Sequence, residues 1–135
     1  MDSKAETLLN GKNLVFLATS MADGSPQVTP VWGDFVDSHI RINTAEGRLK
    51  HKNILRDPRV AVSVVDSVNP LDMTSIRGKV VEIIPDYDYK HANFLTKQYM
   101  GKENYPFKRP GEKRIILKIA PEKIFVLPHL LMNDD

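Results

Sequence analysis

The chain has 135 residues, of which 41% are hydrophobic and 27% are charged, and this balance fits one folded domain with a buried core and excludes a disordered chain. The sequence contains no cysteine, which excludes disulfides, thiolate metal sites and cysteine nucleophiles, and its formal net charge of +2 is too small to predict nucleic-acid binding from the total alone. We therefore expect a single domain over residues 1–135.

The opening stretch MDSKAETLL carries charges among its apolar residues, and no apolar run in the chain approaches the roughly 18 residues that a membrane helix needs. We therefore expect a cytoplasmic protein with no membrane partner. Ser3 is the expected cap of a short helix from Lys4 to about Asn10, because Glu6 follows three residues later as in a capping box and Gly11 is a natural stop.

A β-hairpin is expected next. The runs NLVFLATS (13–20) and QVTPVWGDFV (27–36) read as two strands, and the Asp23-Gly24 pair between them is a hairpin signal. Pro30 lies inside the second run and removes a ladder donor. That part of the strand is therefore predicted to be an edge or a bulge whose backbone is free to meet something else.

A third strand and a basic helix follow. A tight turn leads into a strand from about His39 to Asn43, and the cation-rich stretch after it is expected to form a helix from near Gly47 to Arg56. Pro58 then ends the helix.

The second half of the chain is expected to contain four more strands and one helix. RVAVSVV (59–65) and MTSIRGKVVEII (73–84) read as strands, with Gly78 marking a bend or a close backbone approach. Asp86 or Asp88 is the expected cap of a helix that reaches about Met100. RIILKIAP and EKIFVLP then read as a terminal pair of strands around Ala120-Pro121. The whole series predicts a mainly β domain, a closed or half-closed barrel of about six short antiparallel strands with short helices across its openings.

The turn after the third strand carries the groups that bind a phosphate: polar side chains, backbone amides at a glycine, and cations. They are Asn43, Thr44, Gly47, Arg48, Lys50 and Lys52. In a helix that starts at Gly47, residues 48 and 52 share a face and residue 50 points elsewhere, so Arg48 and Lys50 converge only if they precede regular helix. The alternative is a solvated helix face, because exposed lysine and arginine are the rule.

Other site classes find little support in the sequence. The four histidines are far apart and none is in a metal-ligand spacing, so no metal site is predicted; they are His39, His51, His91 and His129. The Rossmann, Walker and Gly-x-Ser-x-Gly patterns are also absent. Trp32, the only tryptophan, could stack on a planar ligand or simply pack one end of the barrel. Tyrosines next to turns usually seal loops, so the aromatic and basic residues of segment 99–114 are not expected to bind nucleic acid.

Three stretches, LATSMADGSPQVTPVWGDF, IRINTAEGRLKHKNILRDPRVAVSV and SIRGKVVEI, together resemble the pyridoxamine 5′-phosphate oxidase-like split β-barrel superfamily, an FMN-binding-like Greek-key barrel. The resemblance covers about Asn13 to Ile84 and continues more loosely to Leu127. Within the superfamily, TAEGRLKHKNILRDPRV, with the later YMGKENYP and RIILKIAP, is most similar to the flavin/deazaflavin oxidoreductase B group, whose members use coenzyme F420.

The resemblance implies a homodimer with two cofactor sites at the subunit interface. In it, the cofactor ring lies against the strand that here contains Val28, Thr29, Pro30 and Val31. The family's phosphate-binding stretch is matched by Asn43, Thr44, Arg48 and Lys50. Lys52 is then expected to face solvent, and Asn53 to brace the turn. Side chains of the second subunit would close the pocket, with Arg77 as the candidate.

The expected function is hydride transfer between reduced coenzyme F420 and a small electron-poor organic substrate, such as a conjugated carbonyl or a quinone. No catalytic residue is assigned; Tyr99 or Tyr105 could donate the proton, although structural roles are commoner for such tyrosines. Extra cations that would attract the poly-glutamate tail of the coenzyme are Lys108, Arg109, Lys113 and Arg114. The alternatives are an FMN-binding reductase or oxidase of the same fold, or a non-catalytic carrier of flavin, deazaflavin or haem.

Overall fold

The computed structural model describes residues 1–127, so His129 and the acidic tail lie outside the described residues. Its helices are α1 (Ser3–Leu9), α2 (Leu49–Arg56) and α3 (Lys90–Met100). Its strands are β1 (Val15–Ser20), β2 (Pro26–Val31), β3 (Gly33–Val36), β4 (His39–Ala45), β5 (Arg59–Val65), β6 (Met73–Pro85) and β7 (Arg114–Leu127). One domain over the complete chain stays a prediction.

All strands belong to one antiparallel sheet in the order β2-β1-β5-β6-β7-β4-β3. The two edge strands, β2 and β3, are consecutive in the chain and are separated only by Trp32. The sheet must therefore roll until its two edges meet at this residue, where Asn43 N–H donates to Trp32 C=O at 3.4 Å. The edges are not joined by a ladder, so the barrel is split, and the predicted mainly β fold is confirmed.

The inside of the rolled sheet is filled by aliphatic side chains that alternate along the strands with outward-facing residues. The largest fully buried ones include Leu17, Ile40, Ile42, Ile76, Leu117 and Ile119. Helix α1 adds Leu8 and Leu9 to the same cluster. Because aliphatic side chains fill most of this interior among the described residues, a polar site is expected at an edge of the sheet.

The N-terminus of α1 differs from the prediction, because Asp2 and not Ser3 is its cap. The Asp2 carboxylate accepts the backbone N–H groups of Lys4 and Ala5 at 2.8 and 3.2 Å, and Ser3 is already the first helical residue. A carboxylate satisfies these free amides and also interacts favourably with the positive end of the helix dipole, which favours Asp2 over a neighbouring hydroxyl.

The predicted strand over residues 27–36 is wrong as a single element, because the chain breaks at Trp32 into β2 and β3. The break lets the chain leave one edge of the sheet and start the other. Gly33 makes this passage possible: a Cβ there would lie 2.7 Å from Ile42 Cδ1 and 3.0 Å from Arg41 C=O. The edge position predicted for Pro30 is confirmed, since β2 pairs only with β1.

The predicted terminal strand pair is also wrong, because β7 runs through Ala120-Pro121 as one strand. Proline is tolerated there because the β6–β7 register shifts between Arg77 and Gly78, next to Pro121. The close backbone approach predicted at Gly78 is confirmed, since a Cβ there would lie 2.3 Å from Ala120 C=O.

The remaining elements follow the prediction closely. The β1–β2 hairpin turns through Gly24 at φ 86°, and β5 has the predicted bounds. The N-cap residue of helix α3 is Tyr89 and not Asp86 or Asp88 as predicted, although the Asp86 carboxylate accepts the N–H groups of His91 and Ala92 in the first turn. Within residues 1–127, no helix is both long and apolar enough to cross a membrane.

Candidate functional site

A cavity of about 220 Å³ opens where the two sheet edges meet, and we call it the edge cleft. One wall is the end of β2 with Trp32, a second is the turn from β4 into α2, and a third is the inner face of α3 with the following loop. Its lining therefore comes from segments that are distant in the chain and are brought together only by the rolling of the sheet.

The β4–α2 turn contributes two cations to the edge cleft. Strand β4 ends at Ala45, Gly47 adopts φ 88°, and Arg48 is the extended N-cap residue of α2 with φ −66° and ψ 159°. Arg48 thus precedes regular helix, and Lys50 follows in its first turn, so both side chains reach the cleft. Only Arg48 precedes regular helix, as the extended-turn alternative requires, whereas Lys50 already lies within α2. Lys52 is exposed as predicted.

A third cation, Arg114 at the start of β7, lines the same cleft beside Asn43 and Thr44. Its Nε–H donates to Asn43 Oδ1 at 2.8 Å, its Nη1 lies 3.4 Å from Glu112 Oε2, and its guanidinium lies over the Tyr105 ring at 5.0 Å. Arg114 is therefore held on several sides while its free edge faces the cavity.

The electrostatic environment of Lys50 is unusual for a lysine. The residue is only 9% exposed, and burial, followed by the nearby charges of Arg48 and Arg114, lowers the pKa of its ammonium group below the ordinary value. Among the described residues, neither Lys50 nor Arg48 forms an ion pair with a carboxylate, and the one acid paired with Arg114 is Glu112. A partly buried group of three cations with a single paired carboxylate favours binding of an external anion.

Aromatic rings form the opposite wall. Trp32 stacks on Tyr99 with ring centroids 5.1 Å apart and planes within 3°. The ring centroids of Tyr105 and Phe107 lie 6.3 and 6.5 Å from that of Trp32, in edge-to-face orientations. Trp32, Tyr105 and Phe107 line the cleft. This wall suits a planar ligand ring.

Tyr99 supports this wall from behind. Its hydroxyl donates to Asn13 C=O at 2.7 Å and accepts the N–H of Gly33 at 3.2 Å, and burial raises its pKa. The hydroxyl is thus occupied by backbone groups, and Tyr99 holds the β2–β3 passage in place. Tyr105, which lines the cleft, is the better placed of the two tyrosines considered as proton donors.

Strand β2 brings only part of its predicted residues to the edge cleft. Pro30 and Val31 line it, whereas Val28 and Thr29 lie further along the strand. Val28 is 62% exposed, and the Thr29 hydroxyl is buried without a hydrogen-bond partner in the described part of the chain. The contact of these two residues with a cofactor therefore stays a prediction.

Asn53 braces β1 and not the turn. It is buried, and its amide donates to Thr19 Oγ1 at 3.0 Å and accepts from Arg56 Nη2 at 2.8 Å. This ties the C-terminal half of α2 to the sheet, which fixes the direction in which its N-terminal half presents Lys50.

A buried polar network lies behind the edge cleft, and the sequence analysis missed it. Asp34 is held by Arg41 through two hydrogen bonds of 2.8 and 2.5 Å and lies 3.3 Å from His91 Nε2. Burial acts to raise the pKa of Asp34, but the hydrogen bonds from His91 and Arg41 and the charge of Arg41 outweigh it and leave the pKa below the ordinary value. His91 in turn contacts Asn43, which holds Arg114.

The outward side of β2, β1, β5, β6 and β7 exposes a row of apolar and small residues, which we call the outer face. Direct cross-strand partners place its members on one side of the sheet. They are Pro30, Phe16, Ser63, Ser75 and Phe125. Phe16 and Phe125 are 40% and 52% exposed. Because Pro30 also lines the edge cleft, the cleft opens at the margin of this face.

Arg77 lies on the outer face, two residues along from that row, between Ala61 and Lys123. It is exposed and does not line the edge cleft of its own chain. This position is compatible with its predicted role toward a second subunit, which stays a prediction.

Comparison with known proteins gives the following relatives. A family model described as pyridoxamine 5′-phosphate oxidase matches residues 1–127. Among solved structures, an F420 reductase is 31% identical, with a TM-score of 0.82 over 93% of this chain and 98% of that chain. A Lactobacillus delbrueckii protein described as a candidate pyridoxamine 5′-phosphate oxidase is 25% identical, with a TM-score of 0.66 over 93% of each chain. HupZ of group A Streptococcus, 22% identical over 94% of each chain with a TM-score of 0.64, shares the fold.

Proposed function

Because this chain belongs to the pyridoxamine 5′-phosphate oxidase family, we propose that it is an oxidoreductase whose edge cleft holds a flavin-type cofactor. Arg48, Lys50 and Arg114 bind the phosphate of the cofactor, and the end of β2 with Trp32 bounds its ring. The observation that carries the proposal is the convergence of these three cations, one of them 9% exposed, with only one carboxylate, that of Glu112, paired to them in the described part of the chain.

The chemistry of the cleft fits such a group. A phosphate needs convergent charged donors, which the turn and β7 supply, and Thr44 adds a hydroxyl beside them. A planar ring needs a flat apolar wall with some free polar backbone, which the aromatic residues and the β2 edge supply. Pro30 has no N–H group, so the β2 edge lacks one backbone donor where the ring would approach it.

A second copy of the chain completes the site in this proposal. The edge cleft, at about 220 Å³, is below the roughly 300 to 1,000 Å³ of a closed small-molecule pocket. The exposed outer face begins at the same residue, Pro30, and carries Phe16 and Phe125 without charged neighbours in its row. A homodimer that buries this face would close the cleft and bring a partner side chain, for which Arg77 remains the candidate, toward the ring.

Within flavin-type cofactors, we propose the deazaflavin coenzyme F420. The proposal is supported by the likeness to an F420 reductase over nearly the whole of both chains. It is also supported by the basic residues on the loop before β7: Lys108 lies 4.5 Å from the centre of the Tyr89 ring, and Lys113 lies 5.7 Å from the centre of the Tyr87 ring. These cations lie on the segment that leads into Arg114 and would attract an acidic tail, with an effect that salt weakens.

The bound cofactor would supply hydride transfer to a small electron-poor organic substrate, and the protein has to position and shield it. Arg48, Lys50 and Arg114 hold its anionic end. Trp32 limits how far the ring can tilt, since Tyr99 fixes Trp32 by stacking. Tyr105 and Phe107 restrict the access of water from the loop side, and Tyr105 is the candidate donor for the proton that the product requires.

The proposal is tested by titrating the purified protein with coenzyme F420 and, separately, with FMN, followed by turnover assays with enones, quinones and nitro compounds. We expect saturable F420 binding and oxidation of the reduced coenzyme by at least one substrate class. Tight FMN binding without F420 binding would reject coenzyme F420 as the cofactor. It would still support the edge cleft as a flavin-type cofactor site. Binding of either cofactor with no turnover over the whole panel would favour the carrier function.

A further inference from the structure

His91 is a buried histidine that does not line the edge cleft. It lies in the first turn of α3, is 4% exposed, and its backbone N–H donates to Asp86. Its ring bridges two buried side chains: Nε2 lies 3.3 Å from Asp34 Oδ1, and Nδ1 lies 3.0 Å from Asn43 Nδ2. The His91 ring therefore contacts Asn43, and Asn43 in turn holds Arg114.

The hydrogen-bond inventory assigns the proton on this ring. An arginine side chain only donates, so the Asn43 atom that Arg114 Nε–H contacts at 2.8 Å must be the amide oxygen. The other Asn43 atom is then the NH₂ group, and its two hydrogens go to Asp86 Oδ2 at 2.9 Å and to His91 Nδ1. His91 Nδ1 is thus the acceptor, and the ring is neutral with its proton on Nε2, facing Asp34.

A second proton on His91 would break this arrangement. Nδ1–H would then face the NH₂ group of Asn43, so that two donors oppose each other. If the Asn43 amide turned over to relieve this contact, its NH₂ group would face the Arg114 Nε–H. Either way the chain from His91 through Asn43 to Arg114 loses a hydrogen bond, and Arg114 loses its fixed position.

Other charged groups surround the His91 ring, and some of them favour a second proton on it while others oppose one. The titratable or charged side chains that face it or line the neighbouring 400 Å³ cavity are Asp34, Arg41, Asp86, Asp88 and Lys90. Asp34 favours a second proton on the ring, but Arg41 already neutralises it through two hydrogen bonds. The contact with Asn43 opposes the second proton, because Asp86 and Arg114 both fix the amide in its present orientation.

We propose that His91 is a positioning residue for the edge cleft: in its neutral form it orients Asn43, Asn43 orients Arg114, and anion binding therefore weakens when His91 becomes charged. The inference rests on the proposed function, because it assigns a control element to the same anion site. The direction in which anion affinity changes with pH distinguishes this role from a general effect of net charge. A protein that simply gains positive charge at lower pH would bind anions more tightly there, whereas loss of the Arg114 position weakens binding.

The test uses sulfate as the probe, since its charge is constant between about pH 5 and 8, the range over which histidine changes charge. Trp32 is the only tryptophan and lines the cleft, so its fluorescence reports binding to the purified full chain. For the wild type we expect sulfate affinity to fall at least about threefold from pH 8 to pH 5, the loss of part of one charge-assisted hydrogen bond.

The variant that separates the role is His91→Asn, whose amide oxygen can occupy the place of Nδ1 and accept from Asn43 without titrating. We expect its sulfate affinity to be within about twofold of wild type at pH 8 and to stay flat or rise toward pH 5. His51→Asn serves as the second arm, because His51 Nδ1 accepts the Gly47 N–H at 2.9 Å in the same turn. The fall in affinity should persist in this variant.

Each outcome decides between the claims. A wild-type affinity that rises or stays flat toward pH 5, or a fall that His91→Asn shares and His51→Asn removes, overturns the positioning role. Nitrogen-15 NMR of the His91 ring at pH 8 gives a check that needs no variant: protonated Nε2 with bare Nδ1 supports the assignment, and the opposite tautomer overturns it. Failure of sulfate to bind at every pH would instead overturn the anion site, and with it the proposed function.

Discussion

The two ends of helix α2 carry similar numbers of cations, but these cations differ in whether the chain supplies partners for them. At the C-terminal end, Arg56 donates to Ser20 C=O and to Asn53 Oδ1, both at 2.8 Å, and Arg59 pairs with Asp57 at 2.8 Å. At the N-terminal end, Lys50 is 9% exposed and Arg48 stands beside it, without an ion pair to a carboxylate in the described residues. The cations at the C-terminal end are thus paired with groups of the chain, whereas Lys50 and Arg48 at the N-terminal end are not paired with a carboxylate among the described residues.

The difference separates structural charges from functional ones. The C-terminal cations sit in water beside their partners, where such pairs contribute little to stability. At the N-terminal end Lys50 is desolvated and is repelled by the exposed Arg48 beside it, which raises the free energy of the folded protein unless an anion binds there. The following variants test whether the two ends really differ in this way.

The largest expected effect is the loss of cofactor affinity when a cleft cation is removed. Arg48→Ala and Lys50→Ala should each weaken binding by about 1.5 to 3 kcal/mol, because each removes a charge-assisted hydrogen bond to the phosphate. Isothermal titration calorimetry with whichever of coenzyme F420 and FMN binds the purified protein measures the change. Arg59→Ala removes the same charge at the other end of α2 and is the matched control. An equal loss in the control would mean that net charge, not the cleft, determines affinity.

The next effect concerns the protein without ligand. Lys50→Met keeps the length of the side chain and removes the buried charge, so the free energy of unfolding should rise by about 1 kcal/mol, or about 3 °C in Tm. The lowered pKa of Lys50 sets the pH dependence: the cost of the buried charge is complete below that pKa and is relieved as pH rises through it toward 10.5.

Thermal unfolding of wild type and Lys50→Met across this pH range checks both statements. The stability difference between the two proteins should shrink as the pH approaches 10.5. A Lys50→Met protein that is less stable than wild type at neutral pH would show that the ammonium has a favourable partner in the folded chain, and the contrast between the two ends of α2 would be lost.

A smaller effect is expected two residues further along the helix. Lys52 is exposed and does not line the edge cleft, so Lys52→Ala should change cofactor affinity by less than about twofold. The same calorimetric titration measures it. A loss as large as that of Lys50→Ala would mean that α2 starts earlier than Leu49 and that residues 48 and 52 share the site.

The smallest effect is expected at the C-terminal end of α2, where the charged groups are paired within the chain. Hydrogen bonds from the Arg59 side chain and backbone lower the pKa of Asp57 to about 2, so its stabilising contribution is present above 3.8 and is lost as pH falls through about 2. A carbon-13 NMR titration of the Asp57 carboxyl should give this value in wild type and a higher one in Arg59→Ala. Equal values in the two proteins would show that the ion pair does not form in solution.

Local signals made much of the fold predictable. The turn pair Asp23-Gly24 and the alternation of β5 depend on neighbouring residues, and both elements lie where the sequence places them. The break at Trp32 was not predictable in this way, because QVTPVWGDFV is continuous in β character. It results from the rolling of the whole sheet, which brings the edges β2 and β3 together.

The residues of the candidate site divide in the same way, into those that local sequence indicates and those that only the whole fold brings together. Arg48 and Lys50 belong to one short turn, so their spacing alone could indicate an anion cradle. Arg114 meets Asn43 across 71 residues because β7 pairs with β4, and His91 joins them from α3. No pattern within a short window carries that information. A buried acid such as Asp34 inside a strand is the signal that could have indicated a polar network.

The most direct test of the account is a crystal structure of the full chain with coenzyme F420, or with FMN if that is the cofactor that binds. The account predicts that the phosphate lies about 2.7 to 3.2 Å from donors of Arg48, Lys50 and Arg114, with the ring against Pro30 and Trp32. A structure in which the phosphate binds elsewhere and these three side chains face bulk solvent would contradict it.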